Sequence, residues 1–113
     1  MKEEEIEKLI KEYQLLADQL QSFAVQKDQF SIEKEEYKES LKELENATGK
    51  IYMSVGSVII EASKEEAIKK IKEKQESVEM RLSLINRQYE DLSKKEKEMR
   101  EKINKITQEM YKQ

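Results

Sequence analysis

The segment Ile51-Tyr52-Met53-Ser54-Val55-Gly56-Ser57-Val58-Ile59-Ile60-Glu61-Ala62 interrupts an otherwise sustained helical pattern, and the interruption decides the fold. Two runs of β-formers flank Gly56-Ser57, and a two-residue Gly-X loop suits a type II′ hairpin turn. Pairing Val55 with Val58 puts Ile51, Met53, Val55, Val58, Ile60 and Ala62 on one wholly apolar face. Tyr52, Ser54, Ile59 and Glu61 fall on the other, mixed face, because strand side chains alternate. An isolated two-stranded hairpin is marginal in water and leaves both edges unpaired. Two solutions are open: the hairpin folds down onto its own helices, or hairpins of several subunits join into a larger sheet or barrel. The second is the expectation adopted, an obligate oligomer held together at the hairpin.

Working outward, each side of the segment carries one heptad-spaced apolar stripe. The first runs Ile6, Leu9, Tyr13, Leu16, Leu20, Phe23, Lys27, Phe30, Lys34, Tyr37, Leu41, Leu44. The second runs Ile68, Ile71, Gln75, Val78, Leu82, Ile85, Tyr89, Leu92, Glu96, Met99, Ile103, Ile106. Steps of three and four alternate through both, as two helices sharing a coiled-coil seam require. The fold class is therefore mainly α: a long antiparallel two-helix coiled-coil hairpin with a small central β-hairpin that oligomerises into a larger sheet or barrel. One unit over 1–113 is expected, with an N-terminal helix over 2–46, a β-hairpin over 50–62 and a C-terminal helix over 63–113. Gly49 stops the first helix. Ser63-Lys64-Glu65-Glu66 reads as a capping box opening the second, with Glu66 reaching back to the Ser63 backbone. At about 1.5 Å per residue each arm would be about 65–75 Å long.

In an antiparallel pair, positions whose numbers sum to about 112 share a level. Leu44 then meets Ile68, Phe30 meets Leu82, Phe23 meets Tyr89 and Ile6 meets Ile106. Polar interruptions never coincide: Lys27 faces Ile85, Lys34 faces Val78 and Glu96 faces Leu16, so each lysine lays its methylenes on the seam and lifts its ammonium to water. A parallel in-register homodimer would set Lys27, Lys34 and Glu96 against their own copies, which like charges penalise.

Composition agrees with a slender helical protein. Hydrophobic residues make up 36% of the 113 against 42% charged, too lean for a compact globular core, and proline is absent. Residues 1–49 hold 7 Lys/Arg against 13 Asp/Glu, a balance of −6, and residues 50–113 hold 15 against 12, a balance of +3. Arms of opposite sign favour pairing with each other, each exposed ion pair contributing at most about 1 kcal/mol. No cysteine and no histidine are present, so no disulfide framework, no thiol chemistry and no usual general base are expected. The start, Met1-Lys2-Glu3-Glu4-Glu5, lacks the apolar core of a signal peptide, and no apolar run nears the roughly 18 residues of a membrane span. A soluble cytoplasmic protein is expected, with no membrane contact. No basic, aromatic-studded surface points to nucleic acid.

Glycine-rich phosphate loops, metal-ligand spacings and nucleophile–base sets are all missing, so the chain is read as no enzyme, with no cofactor. Carboxylates abound, but on a two-helix pair they face water and no pocket gathers them. More informative is the open end, where Ile6, Leu9, Ile10, Tyr13, Leu16, Met99, Ile103, Ile106, Met110 and Tyr111 converge without a third element to cover them. Apolar residues at such an end, methionines among them, suit contact with varied apolar partners.

At the hairpin and second helix the sequence resembles the archaeal prefoldin β-subunit family. The stretches that carry the likeness are Ile51 through Ile60, then Lys64-Glu65-Glu66-Ala67, Arg81-Leu82 and Asn86-Arg87-Gln88, with a weaker match from Gln26-Lys27 through the Leu41–Leu44 region. A single central hairpin looks like the family's β type, since its α type carries two. The resemblance implies a hexamer of two α-type and four β-type subunits, hairpins joined in a double β-barrel and coiled coils hanging from it. It also implies an ATP-independent chaperone, a holdase that captures unfolded polypeptides at its coiled-coil tips and delivers them to a group II chaperonin. On that reading Ile51, Tyr52, Met53, Val55, Val58, Ile59 and Ile60 oligomerise, and Ile6, Leu9, Ile10, Tyr13, Met99, Ile103, Ile106 and Met110 bind clients. The competing reading is a passive oligomeric coiled-coil scaffold or tether that binds one folded partner.

Overall fold

The computed structural model describes residues 2–112; Met1 and Gln113, on which the expected single unit and the end of its second helix fall, lie outside the described residues. In chain order the elements are α1 (Glu3–Asn46), β1 (Ile51–Val55), β2 (Val58–Ala62) and α2 (Lys64–Tyr111). Neither helix contains glycine or proline, so 44 and 48 residues run without a breaker. Glu3, Glu4 and Glu5 occupy the first turn of α1, where negative charge suits the positive end of the helix dipole.

Adjacent residues at the start of α2 finish one helix and begin the other. No basic residue lies in the last turn of α1. The Glu45 carbonyl in that turn is served instead by Lys64, whose Nζ donates to it at 2.8 Å and to the carbonyl of Ala47, just past the helix, at 3.5 Å. The chain then turns at Gly49, which adopts φ +91°, a conformation costly for a residue with a Cβ. Ser63 caps α2: its Oγ accepts the Glu66 N–H at 3.1 Å, and its carbonyl accepts the Ala67 N–H at 3.0 Å. That is the serine half of the expected box; the Glu66 side chain stays exposed.

The hairpin has the register that the sequence implies. β1 and β2 are antiparallel, pairing Ile51 with Ala62, Met53 with Ile60 and Val55 with Val58. Gly56 has φ +59°, and among the described residues positive φ is confined to Gly49 and Gly56. Ser57 is therefore at negative φ, which excludes type I′ and leaves the type II′ turn.

Contacts gather the chain into two compact units, each built from both helices. One takes the chain up to Lys27 together with residues from Leu84 onward; the other is Asp28–Ser83 and includes the hairpin. In the first, Tyr13 meets Glu96 and Lys27 meets Tyr89, so positions rise along α1 as they fall along α2 and the helices are antiparallel. Its buried core is Leu9, Leu16 and Ile85. In the second unit Lys64 reaches Glu45, and Leu44 lines a cleft with Ala67 and Ile71. Ala67 and Val78 are buried there, Val78 with 2% of its surface exposed. Every stripe residue except Lys34 is at least partly covered. Opposite net charge on the two arms does not translate into ion pairs across the seam: among the described residues the close ion pair is Arg100–Glu96, within α2. The outward charges remain solvated.

Val78→Ala should cost about 2 kcal/mol of unfolding free energy, through lost burial and the cavity left behind. Ser63→Ala should cost about 1 kcal/mol through the lost cap. Val25→Ala, at an exposed position of α1, should change stability by less than about 0.5 kcal/mol. Chemical denaturation followed by helical circular dichroism checks the order.

Candidate functional site

Large apolar side chains are uncovered at several places, Ile32, Met80 and Leu84 on the helices among them, but they gather in two regions, of which the hairpin is the more concentrated. Ile59 is 72% exposed and Tyr52 60%, both on the mixed face; Val55, Val58 and Ile60, on the apolar face, are also exposed. Ile51, Met53 and Ala62 are half-covered. They lie toward the helix ends, where Leu44, Ile51, Tyr52, Met53, Ser54, Ala67, Lys70, Ile71 and Lys74 line a cleft of about 240 Å³. The base of the hairpin thus leans on its own helices while its turn end does not. Because the sheet has two strands, each strand also has a free hydrogen-bonding edge. A hairpin with exposed apolar side chains on both faces and both edges open is one that other strands can complete.

The second region is the end formed by the α1 N-terminus and the α2 C-terminus. Leu9 is buried, and Ile6, Tyr13, Met99, Ile103 and Ile106 are half-buried within the pair. Ile10, Met110 and Tyr111 are exposed. Leu15, which the stripe-based reading passes over, is 66% exposed. It lies beside a cleft of about 580 Å³ lined by Leu9, Leu16, Leu92 and Met99, with Glu12, Lys95, Glu98 and Lys102 among its polar lining. Its sequence signal is weak but real: an apolar residue one position before a seam leucine, on an otherwise polar side of the helix.

Two polar residues of the seam, Glu96 and Lys27, are matched across it by tyrosines. The Tyr13 hydroxyl donates to Glu96 Oε1 at 2.8 Å, and Arg100 approaches the same oxygen from within α2 at 3.8 Å. Lys27 does not lift its ammonium away from the seam; its Nζ lies 5.2 Å from the centroid of the Tyr89 ring, a cation–π geometry. Tyr37 donates to Glu33 within α1 at 2.9 Å. These bonds to carboxylates hold the Tyr13 and Tyr37 hydroxyls above the ordinary tyrosine value of 10.0; partial desolvation and carboxylate charge add to the effect, and Arg100 and Arg81 oppose it.

Comparison with known proteins places this arrangement. A family model described as prefoldin subunit matches residues 7–110. The chain belongs to the prefoldin family. Prefoldin subunit beta of Pyrococcus horikoshii is 43% identical over 54 residues, 48% of this chain and 46% of that protein. Prefoldin subunit beta of Methanosarcina barkeri is 42% identical over 53 residues, 47% of this chain and 45% of that one. The matched stretch thus spans about half the length of these curated relatives. Over more of the chain, the crystal structure of the prefoldin beta subunit from Thermococcus strain KS-1 superposes with a TM-score of 0.81 at 30% identity, covering 90% of this chain and 91% of that one. Prefoldin's two long helices and small antiparallel hairpin are the elements described above.

Alkaline pH should weaken the helix pair through Tyr13. Its folded-state proton is held above 10.0, so the stabilisation is complete below that pH and is lost as pH rises through the folded-state value. Tyr13→Phe should therefore be less stable than wild type at pH 8, with the difference shrinking toward zero by about pH 12. Lysine deprotonation is common to both proteins and cancels in the comparison, read from urea midpoints at each pH.

Proposed function

We propose that this chain is a β-type prefoldin subunit, an ATP-independent holdase that joins other prefoldin subunits through its hairpin and captures unfolded polypeptides at the far end of its helix pair. One observation carries the reading: in a chain of this family, the two-stranded hairpin exposes Val55, Val58 and Ile60 on one face and Tyr52 and Ile59 on the other. Burial of such side chains contributes about 1.5–3 kcal/mol each, which neighbouring subunits would supply. Ile51, Tyr52, Met53, Val55, Val58, Ile59 and Ile60 assemble the platform with α-type subunits and further copies of this chain, in an α2β4 hexamer working in the cytoplasm.

Ile6, Leu9, Ile10, Tyr13, Met99, Ile103, Ile106 and Met110 hold the client before its transfer to a group II chaperonin. Each contact is weak, and several arms acting on one chain supply avidity that no single arm has. Holding by apolar contact uses no reacting group and no nucleotide, in keeping with a site whose residues, Tyr13 apart, are aliphatic or methionine.

Light scattering on wild type with an α-type subunit should report a stable oligomer, and Ile59→Lys should dissociate it; a monodisperse wild-type monomer would overturn the platform. Replacing Ile10, Ile103 and Ile106 by serine should weaken capture at least about ten-fold while the oligomer persists, since each loses apolar contact worth about 1 kcal/mol or more. Unchanged aggregation suppression in that variant sinks the tip assignment. Protection of several unrelated denatured proteins without ATP separates a holdase from a tether.

A further inference from the structure

The residues proposed to hold clients are largely covered at rest. Leu9 is buried, and Ile6, Met99, Ile103 and Ile106 are half-buried against the opposite helix. A client reaches them only if the helices part there. Going from the interior of the first unit toward its ends, Lys27 over Tyr89 is one cross-seam tie and Tyr13 to Glu96 is the next. Beyond Tyr13 on α1 and Glu96 on α2, no hydrogen bond or ion pair among the described residues joins the two helices. That outer section is held by Ile6, Leu9, Met99, Ile103 and Ile106 alone, and it contains seven of the eight client-binding candidates; Tyr13 is the eighth.

We infer that the Tyr13–Glu96 hydrogen bond is a latch that limits how far the helix pair opens, and so regulates exposure of the covered apolar seam to client. This deepens the holdase reading and rests on it. The geometry suits the role. Glu96 stands at a seam position, where a carboxylate is unfavourable unless matched, and Tyr13 matches it at 2.8 Å. A slip of one heptad in either direction brings Glu96 level with Leu9 or Phe23 and leaves Tyr13 without its acceptor. The bond therefore also fixes the register of the outer section, as single polar residues at seam positions do in other coiled coils. Arg100 approaches the same carboxylate oxygen from one turn further along α2, at 3.8 Å. Because the latch is partly exposed and single, opening is cheap enough to be reversible and local.

Tyr13→Phe tests it, since the ring and its packing remain while the donor is lost. In the assembled oligomer, amide hydrogen exchange over residues 3–12 and 97–111 should accelerate about five-fold, with residues 50–80 unaffected. The concentration of chaperone needed to suppress aggregation of denatured citrate synthase should fall by a similar factor. Glu12→Cys/Glu98→Cys, whose parent residues line the same cleft, joined by a short bis-maleimide, should act oppositely and reduce capture relative to the unlinked variant. Unchanged exchange in Tyr13→Phe overturns the latch. Faster exchange with unchanged capture overturns its regulatory role. Failure of wild type to protect citrate synthase refutes the holdase reading on which the regulatory role rests, while the exchange arm still decides whether the latch exists.

Discussion

Contact between one narrow stripe on each helix is the interaction on which the rest depends. A helix this rich in charge buries little, and among the described residues five apolar side chains (Leu9, Leu16, Ala67, Val78 and Ile85) are buried. Around them the other stripe residues, Lys34 excepted, are only half-covered, because a two-helix pair has no third wall. Stability is therefore spread thinly along the pair rather than concentrated in a centre.

The hairpin meets the same shortage of cover differently. Its base, at Ile51, Met53 and Ala62, finds partial shelter beside the helix ends, while Val55, Val58, Ile59, Ile60 and Tyr52 find none. In the function we propose, sister subunits cover the hairpin permanently and a client covers the helix ends transiently.

Much of this was legible from residue spacing. A two-residue Gly56-Ser57 loop between β-formers admits essentially one register, and Val55 opposite Val58 follows from it. Alternating steps of three and four identify the covered face, with Lys34 the sole stripe residue left exposed. Heptad arithmetic is blind to reach along the helix axis, however. It set Glu96 level with Leu16 and Lys27 level with Ile85, whereas long side chains extend about a turn and find Tyr13 and Tyr89. Lys64 was equally hidden: nothing in a capping motif for α2 announces that its second residue closes α1. Leu15 escaped because a stripe defines what is inside and says nothing of what is left outside.

Lys64 and Ser63 have a geometric corollary. One residue fastens the last carbonyls of α1 and its neighbour fastens the first amides of α2, so the strand pair is clamped at its root by a dipeptide. A swivel there would let the strand pair tilt freely against the helix ends. With the root clamped, the direction in which the hairpin leaves the helices is set within the chain, and a platform of the kind we propose would inherit it from each subunit.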